Sequence, residues 1–255
     1  MENNKRNILV VLIAAVIGVA VLASFGLNLF STDLDPIVLP TLSGDNGPGE
    51  GPGENADGTG LVRVEVTPDT VQNVIATLTR PDSYYREVTL EDFWEGGSGV
   101  TTARVWVDYG WTRTEAVWSS GTVRTSIVGG ETVWWWYGGD QEAASAPADE
   151  RSADLEGQRI PTYEDVLDLD KKTITAAGYE ERGGLSCVYV EVAENELGYR
   201  DRYWISVESG LLVSAETLEG ETLLSSMSAY TVERPVPPDT RYELPDGTVL
   251  HTVVQ

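Results

Sequence analysis

Cysteine and histidine are almost absent from this 255-residue chain; Cys187 and His251 are its only examples. One Cys excludes an internal disulfide framework and any Cys-based zinc site, and one His removes the His clusters of most transition-metal centres. Bases are scarce too: 17 Lys and Arg stand against 41 Asp and Glu, for a net charge of −24. Nucleic acids are held by clustered Lys and Arg, so a nucleic-acid partner is excluded. An anionic membrane surface would also repel the chain, so charge alone cannot hold it on a bilayer.

Catalytic signatures are missing as well. Neither Gly-x-Ser-x-Gly nor His-Glu-x-x-His occurs, so His251 has no motif partners and reads as a surface residue near a frayed C-terminus. Asp168-x-Asp170 has the start of a calcium loop but lacks its Gly and terminal Glu, and Lys171-Lys172 follows. Carboxylate pairs of the kind that cleave glycosides are lost among so many acids, whose simplest role is solubility. Cys187 opens the alternation Cys187-Val188-Tyr189-Val190 and reads as a half-buried strand thiol. The reading is of a non-enzyme with no cofactor and no metal.

What is present begins with one long apolar run. Ile8 to Phe30 is 23 residues without a charge, about 35 Å as a helix and enough to cross a hydrocarbon core of roughly 30 Å. Lys5 and Arg6 precede it while Asp33 and Asp35 follow. The expectation for residues 1–30 is therefore a cytoplasmic stub and a single-pass anchor, with the rest of the chain outside the cell membrane. A cleaved signal peptide ending near Val21-Leu22-Ala23 is the rival reading, but the apolar run continues past that point. Residues 31–60 carry seven Gly, four Pro, six acids and no base. Such a segment cannot bury a core and reads as a disordered acidic tether spanning about 30 Å.

Residues 61–255 make the expected extracytoplasmic domain. All 8 Trp and 11 Tyr lie there, a mainly β composition with few helices. Thr67-Pro68-Asp69 ahead of Val71, Val74, Ile75 and Leu78 predicts one amphipathic helix. Thr162 with Asp165 resembles a capping box and predicts a second, limited by Gly178. Strands are predicted over 83–91, 101–109, 111–119, 122–128, 131–137, 185–193, 200–207, 211–218, 221–233 and 248–254. The polar stretch Gly138 to Gln158 reads as a long loop. Sequential hairpins of this kind give a curled antiparallel sheet, whose inner face must be covered by the helices.

Register follows from the turns. Two-residue turns at Tyr109-Gly110, Ser120-Gly121 and Gly129-Gly130 would place Asp108, Ser119 and Val128 opposite Trp111, Thr122 and Glu131. One face then collects Ala103, Val105, Val107, Thr112, Thr114, Ala116, Trp118, Val123, Thr125, Ile127, Thr132, Trp134 and Trp136. The other pairs Arg104 with Glu115, Trp106 with Arg113 and Val117 with Arg124, and carries Glu131, Val133, Trp135 and Tyr137.

Three segments then give a resemblance. Gly130-Glu131-Thr132-Val133-Trp134-Trp135-Trp136-Tyr137 is similar to the Gly-x-Thr-hydrophobic-Trp-x-aromatic strand of the LolA-like superfamily of lipoprotein carriers and RseB-type envelope regulators. Tyr203-Trp204-Ile205-Ser206-Val207-Glu208-Ser209-Gly210-Leu211-Leu212 resembles that family's aromatic-Trp-Ile to Gly-Leu hairpin, and Leu244-Pro245-Asp246-Gly247 its late Leu-Pro stretch. The resemblance implies a half-barrel with helices in its mouth, an apolar cavity between, and no reaction. Its implied ligand is a lipid, an acylated protein or a hydrophobic peptide, at the membrane or with a cell-wall partner protein. The alternative is an envelope-sensing or regulatory protein-interaction module with a filled core. On the register above, Val105, Val107, Trp118, Ile127, Trp134 and Trp136 are the expected cavity residues.

Overall fold

A computed structural model describes residues 65–148 and 160–253. The expected anchor within residues 1–30 and the expected tether over 31–60 lie outside the described residues. Among the described residues no helix is long and apolar enough to cross a membrane.

The first helix, α1 (Val71–Thr77), follows a turn in which the amides of Thr70 and Val71 both donate to the Thr67 carbonyl. It starts at Val71 and not at Pro68, because Pro68-Asp69-Thr70 is spent on that turn. Val71, Val74, Ile75 and Leu78 are all buried, as their spacing predicts. In α2 (Tyr163–Leu167) the capping box forms: the Thr162 amide donates to Asp165 Oδ2 at 2.7 Å. That helix stops after five residues. The segment before and after Gly178, expected at most to limit a helix, is a strand, β7 (Ile174–Arg182).

Fourteen strands are described, and twelve of them form one curled, open antiparallel sheet. Its first half contains β1 (Ser83–Trp94), β2 (Gly97–Asp108), β3 (Trp111–Val117), β4 (Val123–Gly129), β5 (Thr132–Tyr137) and β6 (Ala144–Pro147). After β7 come β8 (Leu185–Val192), β9 (Tyr199–Ser206), β10 (Leu212–Glu219), β11 (Thr222–Ser228) and the short β12 (Val232–Glu233). The order across the sheet is β6-β5-β4-β3-β2-β1-β11-β10-β9-β8-β7, with β12 pairing β1 beside β11. Two meanders thus join through β1 and β11. The last two strands, β13 (Arg241–Glu243) and β14 (Val249–Thr252), make a separate hairpin. Strand β6 lies inside the stretch expected as a loop, and β13 was not expected at all.

The core lies between the two helices and one face of the sheet. Val71, Val74 and Ile75 of α1 and Val166 of α2 pack with Val88, Val105, Val188, Val190, Ile205 and Leu212. Gln72 ties the helices together: its Nε2 lies 3.1, 3.1 and 2.9 Å from the carbonyl oxygens of Val166, Leu167 and Leu169. Those carbonyls at the end of α2 have no helical partner of their own.

The turns correct the expected faces. Tyr109-Gly110 is a two-residue turn with positive φ at both positions (45° and 88°), and Asp108 pairs Trp111 as expected. Arg104 opposite Glu115 and Trp106 opposite Arg113 follow from it. The next hairpin is different. The Trp118 amide donates to the Thr122 carbonyl, leaving a three-residue loop, 119–121, with Gly121 at φ 81°. That extra loop residue pairs Val117 with Val123, not Arg124. A shift of one residue exchanges the faces of every strand beyond it. The turn after β4 is Gly130-Glu131, a shift of two in pairing that leaves the parity unchanged.

The helix-covered face therefore runs from Ala103, Val105 and Val107 through Thr112, Thr114 and Ala116 to Ser126 and Val128, then Val133, Trp135 and Tyr137. Ile127, Trp134 and Trp136 lie on the outer face with Trp106 and Arg113.

Candidate functional site

Two short helices cannot cover this sheet. At ~1.5 Å per residue α1 and α2 are about 10 and 8 Å long, while eleven strands side by side at ~4.8 Å span about 50 Å. The uncovered inner surface forms two grooves, which flank α2.

The larger has a volume of about 470 Å³ and is floored by Leu90, Tyr203, Ala215 and Met227, with Ile160 and Leu169 on the helix side. Its rim is acidic, with Asp92, Asp165 and Asp201. Two of those carboxylates are already held: Asp165 by the Thr162 amide and Asp201 by the Thr217 hydroxyl at 2.6 Å. Burial, with Asp201 and Asp165 nearby, pushes the Tyr203 phenol up, so it stays a neutral donor at physiological pH.

The smaller groove, about 250 Å³, has Val105, Val107 and Leu211 as its apolar wall and Arg80 and Arg86 as its cations. Arg80 is anchored to the end of α1. Its Nη1 and Nη2 donate to the carbonyls of Leu78 and Ile75 at 3.1 and 2.9 Å, and its guanidinium lies 3.5 Å from the Tyr163 ring centre. A cation there satisfies the helix C-terminus and joins α1 to α2. Gly210 makes room for it: a Cβ on Gly210 would lie 2.8 Å from Arg80 Cγ and 3.0 Å from the Thr79 carbonyl oxygen. The Gly-Leu-Leu of the hairpin motif is thus a close backbone approach to α1. Arg86 enters from β1 and is only 5% exposed. Its Nη1 donates to the Leu212 carbonyl at 3.0 Å.

Of the residues expected to line the cavity, Val105 and Val107 meet in this groove. Trp118 stands exposed beside the β3–β4 loop, edge-on to Tyr137 at 6.2 Å. Ile127, Trp134 and Trp136 face outward, for the register reason given above. There Trp134 stacks with Trp111 at 6.3 Å, and Trp111 stacks on His251 at 5.3 Å. Gly129 has no side chain because Trp111 occupies its place, within 2.0 Å of where a Cβ would be.

His251 is not a frayed surface residue. The β13–β14 hairpin brings it under the outer face, where its Nε2 lies 2.7 Å from Oδ2 of the fully buried Asp108. The pair is enclosed by Trp111 and by Tyr242, which is fully buried, and Arg113 donates to the Arg241 carbonyl at 3.0 Å. This Asp–His pair lies in neither groove and clasps the hairpin to the sheet. Cys187 is fully buried beside Trp204 and Val213, and burial pushes its thiol up to about 11, which makes it a poor nucleophile.

Among the described residues no cluster of His, Cys, Asp or Glu could hold a metal ion. Arg80, Arg86 and the acids beside them can bind and orient polar groups.

No protein-family profile and no curated protein matches the chain. Among solved structures it resembles the Pseudomonas aeruginosa MucA/MucB complex, at 17% identity and TM-score 0.35 over 68% of this chain and 59% of that one. The chain thus spans about three fifths of the length of that neighbour. Mycobacterium tuberculosis lipoprotein LppX is similar at 13% identity and TM-score 0.35, over 66% of this chain and 93% of LppX. A lipoprotein-sorting protein domain from Vibrio parahaemolyticus follows at 10% identity and TM-score 0.28, over 66% and 91%. Likeness of this degree carries no functional argument.

Proposed function

We propose that residues 61–255 form a non-enzymatic binding domain that takes the apolar part of a lipid, an acylated protein or a hydrophobic peptide into the inner-face grooves. Residues 8–30 hold it outside its membrane, and residues 31–60 set its distance. One observation supports this reading above the others. The larger groove is floored by Leu90, Ala215 and Met227 of the main core layer, yet stays open beside a helix of five residues. A groove of this kind, apolar at its floor and polar at its rim, is stabilised by whatever covers its apolar part, at roughly 25 cal/mol per Å² covered.

The test is a fluorescent acyl-chain probe titrated into the full-length chain. Ala215→Phe fills the groove floor and lowers the affinity at least tenfold, while Thr175→Phe, exposed on β7, leaves it unchanged. Absence of saturable binding to the wild type would favour the envelope-sensing module with a filled core. The location has its own test. Protease added to intact cells removes the domain and leaves a short membrane stub, and protection until lysis would overturn the topology.

A further inference from the structure

We infer that the smaller groove is an anion subsite, so that the amphiphile carries a carboxylate or phosphate head, held by Arg86 and Arg80 beside the Val105–Val107 wall. This rests on the binding reading above and names the chemistry of its ligand.

The warrant is an unpaired buried charge. Arg86 is 95% removed from solvent, and a guanidinium cannot shed its proton to escape the cost of burial. Its one hydrogen bond is to the Leu212 carbonyl, and its Nε, although buried, has no partner. The Nε of Arg80 in the same groove is also buried and partnerless. Among the described residues no carboxylate forms an ion pair with either.

That vacancy is informative in a chain where acids outnumber bases by more than two to one. Arg104, Arg113, Arg182, Arg200, Arg202, Arg234 and Arg241 each hold a glutamate. Two acids do line the groove, Asp82 and Glu164, and neither closes on the arginines. Glu164 keeps one buried oxygen without a partner. A planar oxyanion accepts from a guanidinium in charge-assisted pairs, and an apolar chain continues along Val105, Val107 and Leu211.

The experiment compares octanoate, octyl phosphate, octanol and inorganic phosphate by calorimetry on the full-length chain in a non-ionic detergent, after subtracting protein-free micelles. Octanoate and octyl phosphate bind about ten- to a hundredfold more tightly than octanol, the range expected for charge-assisted hydrogen bonds. Arg86→Met removes that preference, so that octanoate, octyl phosphate and octanol bind alike. Arg86→Lys retains part of the preference, and Glu164→Gln enlarges it. Equal affinity for octanoate and octanol overturns the anion subsite while the apolar groove stands. Inorganic phosphate binding as tightly as octyl phosphate shows a free-anion site and overturns the amphiphile. No binding by any of the four overturns both readings. The wild-type comparison is decisive even if Arg86→Met fails to fold.

Discussion

Arg86 on the inner face of the sheet and the arginines of its outer face are held in opposite ways. On the outer face Arg104, Arg113, Arg182 and Arg202 each meet a glutamate. Three of them also lie over indole rings: Arg104 and Arg113 over Trp106, and Arg182 over Trp204 at 4.2 Å. Trp204 donates to Glu180 at 2.8 Å, and Tyr189 donates to Glu191 at 2.9 Å. There the arginines are paired and the aromatics packed, although Arg113 Nε and the Tyr242 hydroxyl stay buried without a partner. On the inner face Arg86 is more deeply buried than any of these arginines and holds one carbonyl. The difference teaches where to look for a ligand. Aromatic abundance marks the outer face, and a deeply buried arginine with no carboxylate partner among the described residues marks the inner one.

The comparison breaks first at the outer clasp. Tyr242→Ala removes a fully buried ring that meets Trp111 and His251 edge-on. It costs about 3–5 kcal/mol of stability in chemical denaturation. Tyr242→Phe is neutral or slightly stabilising, because the buried hydroxyl has no partner to lose. Amphiphile affinity of the folded Tyr242→Phe protein is unchanged, and a loss there would mean that the two faces are not independent.

A smaller effect is expected from the inner-face tie between the helices. Gln72→Ala leaves the end of α2 without its donor and costs about 1–3 kcal/mol. It also weakens ligand binding, since α2 forms a wall of both grooves. Unchanged affinity in a destabilised protein would separate α2 from the site.

The smallest effect is alkaline and belongs to the outer face. Burial raises the Cys187 thiol to about 11 from its ordinary value near 9. A raised pKa contributes stability that is present below the unfolded value and lost as pH rises through the folded one. Stability therefore falls between about pH 9 and 11, with Tyr85 and Tyr189, both raised to about 12 by burial and by glutamate partners, adding to the loss at the upper end. Cys187→Ala flattens the lower part of that fall. The same thiol alkylates at pH 8 only after denaturation, and rapid labelling of the native protein would contradict its burial.

Much of this architecture is legible in residue order, and the failures have physical causes. The α1 spacing, the α2 capping box and the Tyr109-Gly110 turn all rest on local chemistry, and each is found in place. The β3–β4 loop is where local reasoning breaks. Ser-Gly serves equally as a two-residue turn and as the end of a three-residue loop with glycine in the left-handed position. Choosing the first sent Ile127, Trp134 and Trp136 to the wrong face. Strands β6 and β7 are the two edges of the sheet. Ala144-Ser145-Ala146-Pro147 has little strand propensity and pairs only because β5 offers it a free edge. Two alanines and Gly178 hide β7 in the same way. Arg86, by contrast, was within reach of the alternation. It shares the parity of Tyr84, Val88 and Leu90 in β1, and a lone arginine on a core-facing stripe is itself a signal of a polar site.

The central claim is that the inner face is built to be filled from outside the chain. Native mass spectrometry of the full-length protein, extracted from its source cells in a non-ionic detergent, tests it most directly. The account predicts a bound species in the mass range of an acyl-bearing molecule, released by Ala215→Phe and, where its head is anionic, depleted by Arg86→Met. A mass equal to the bare polypeptide, unchanged on adding octanoate or octyl phosphate, would contradict it.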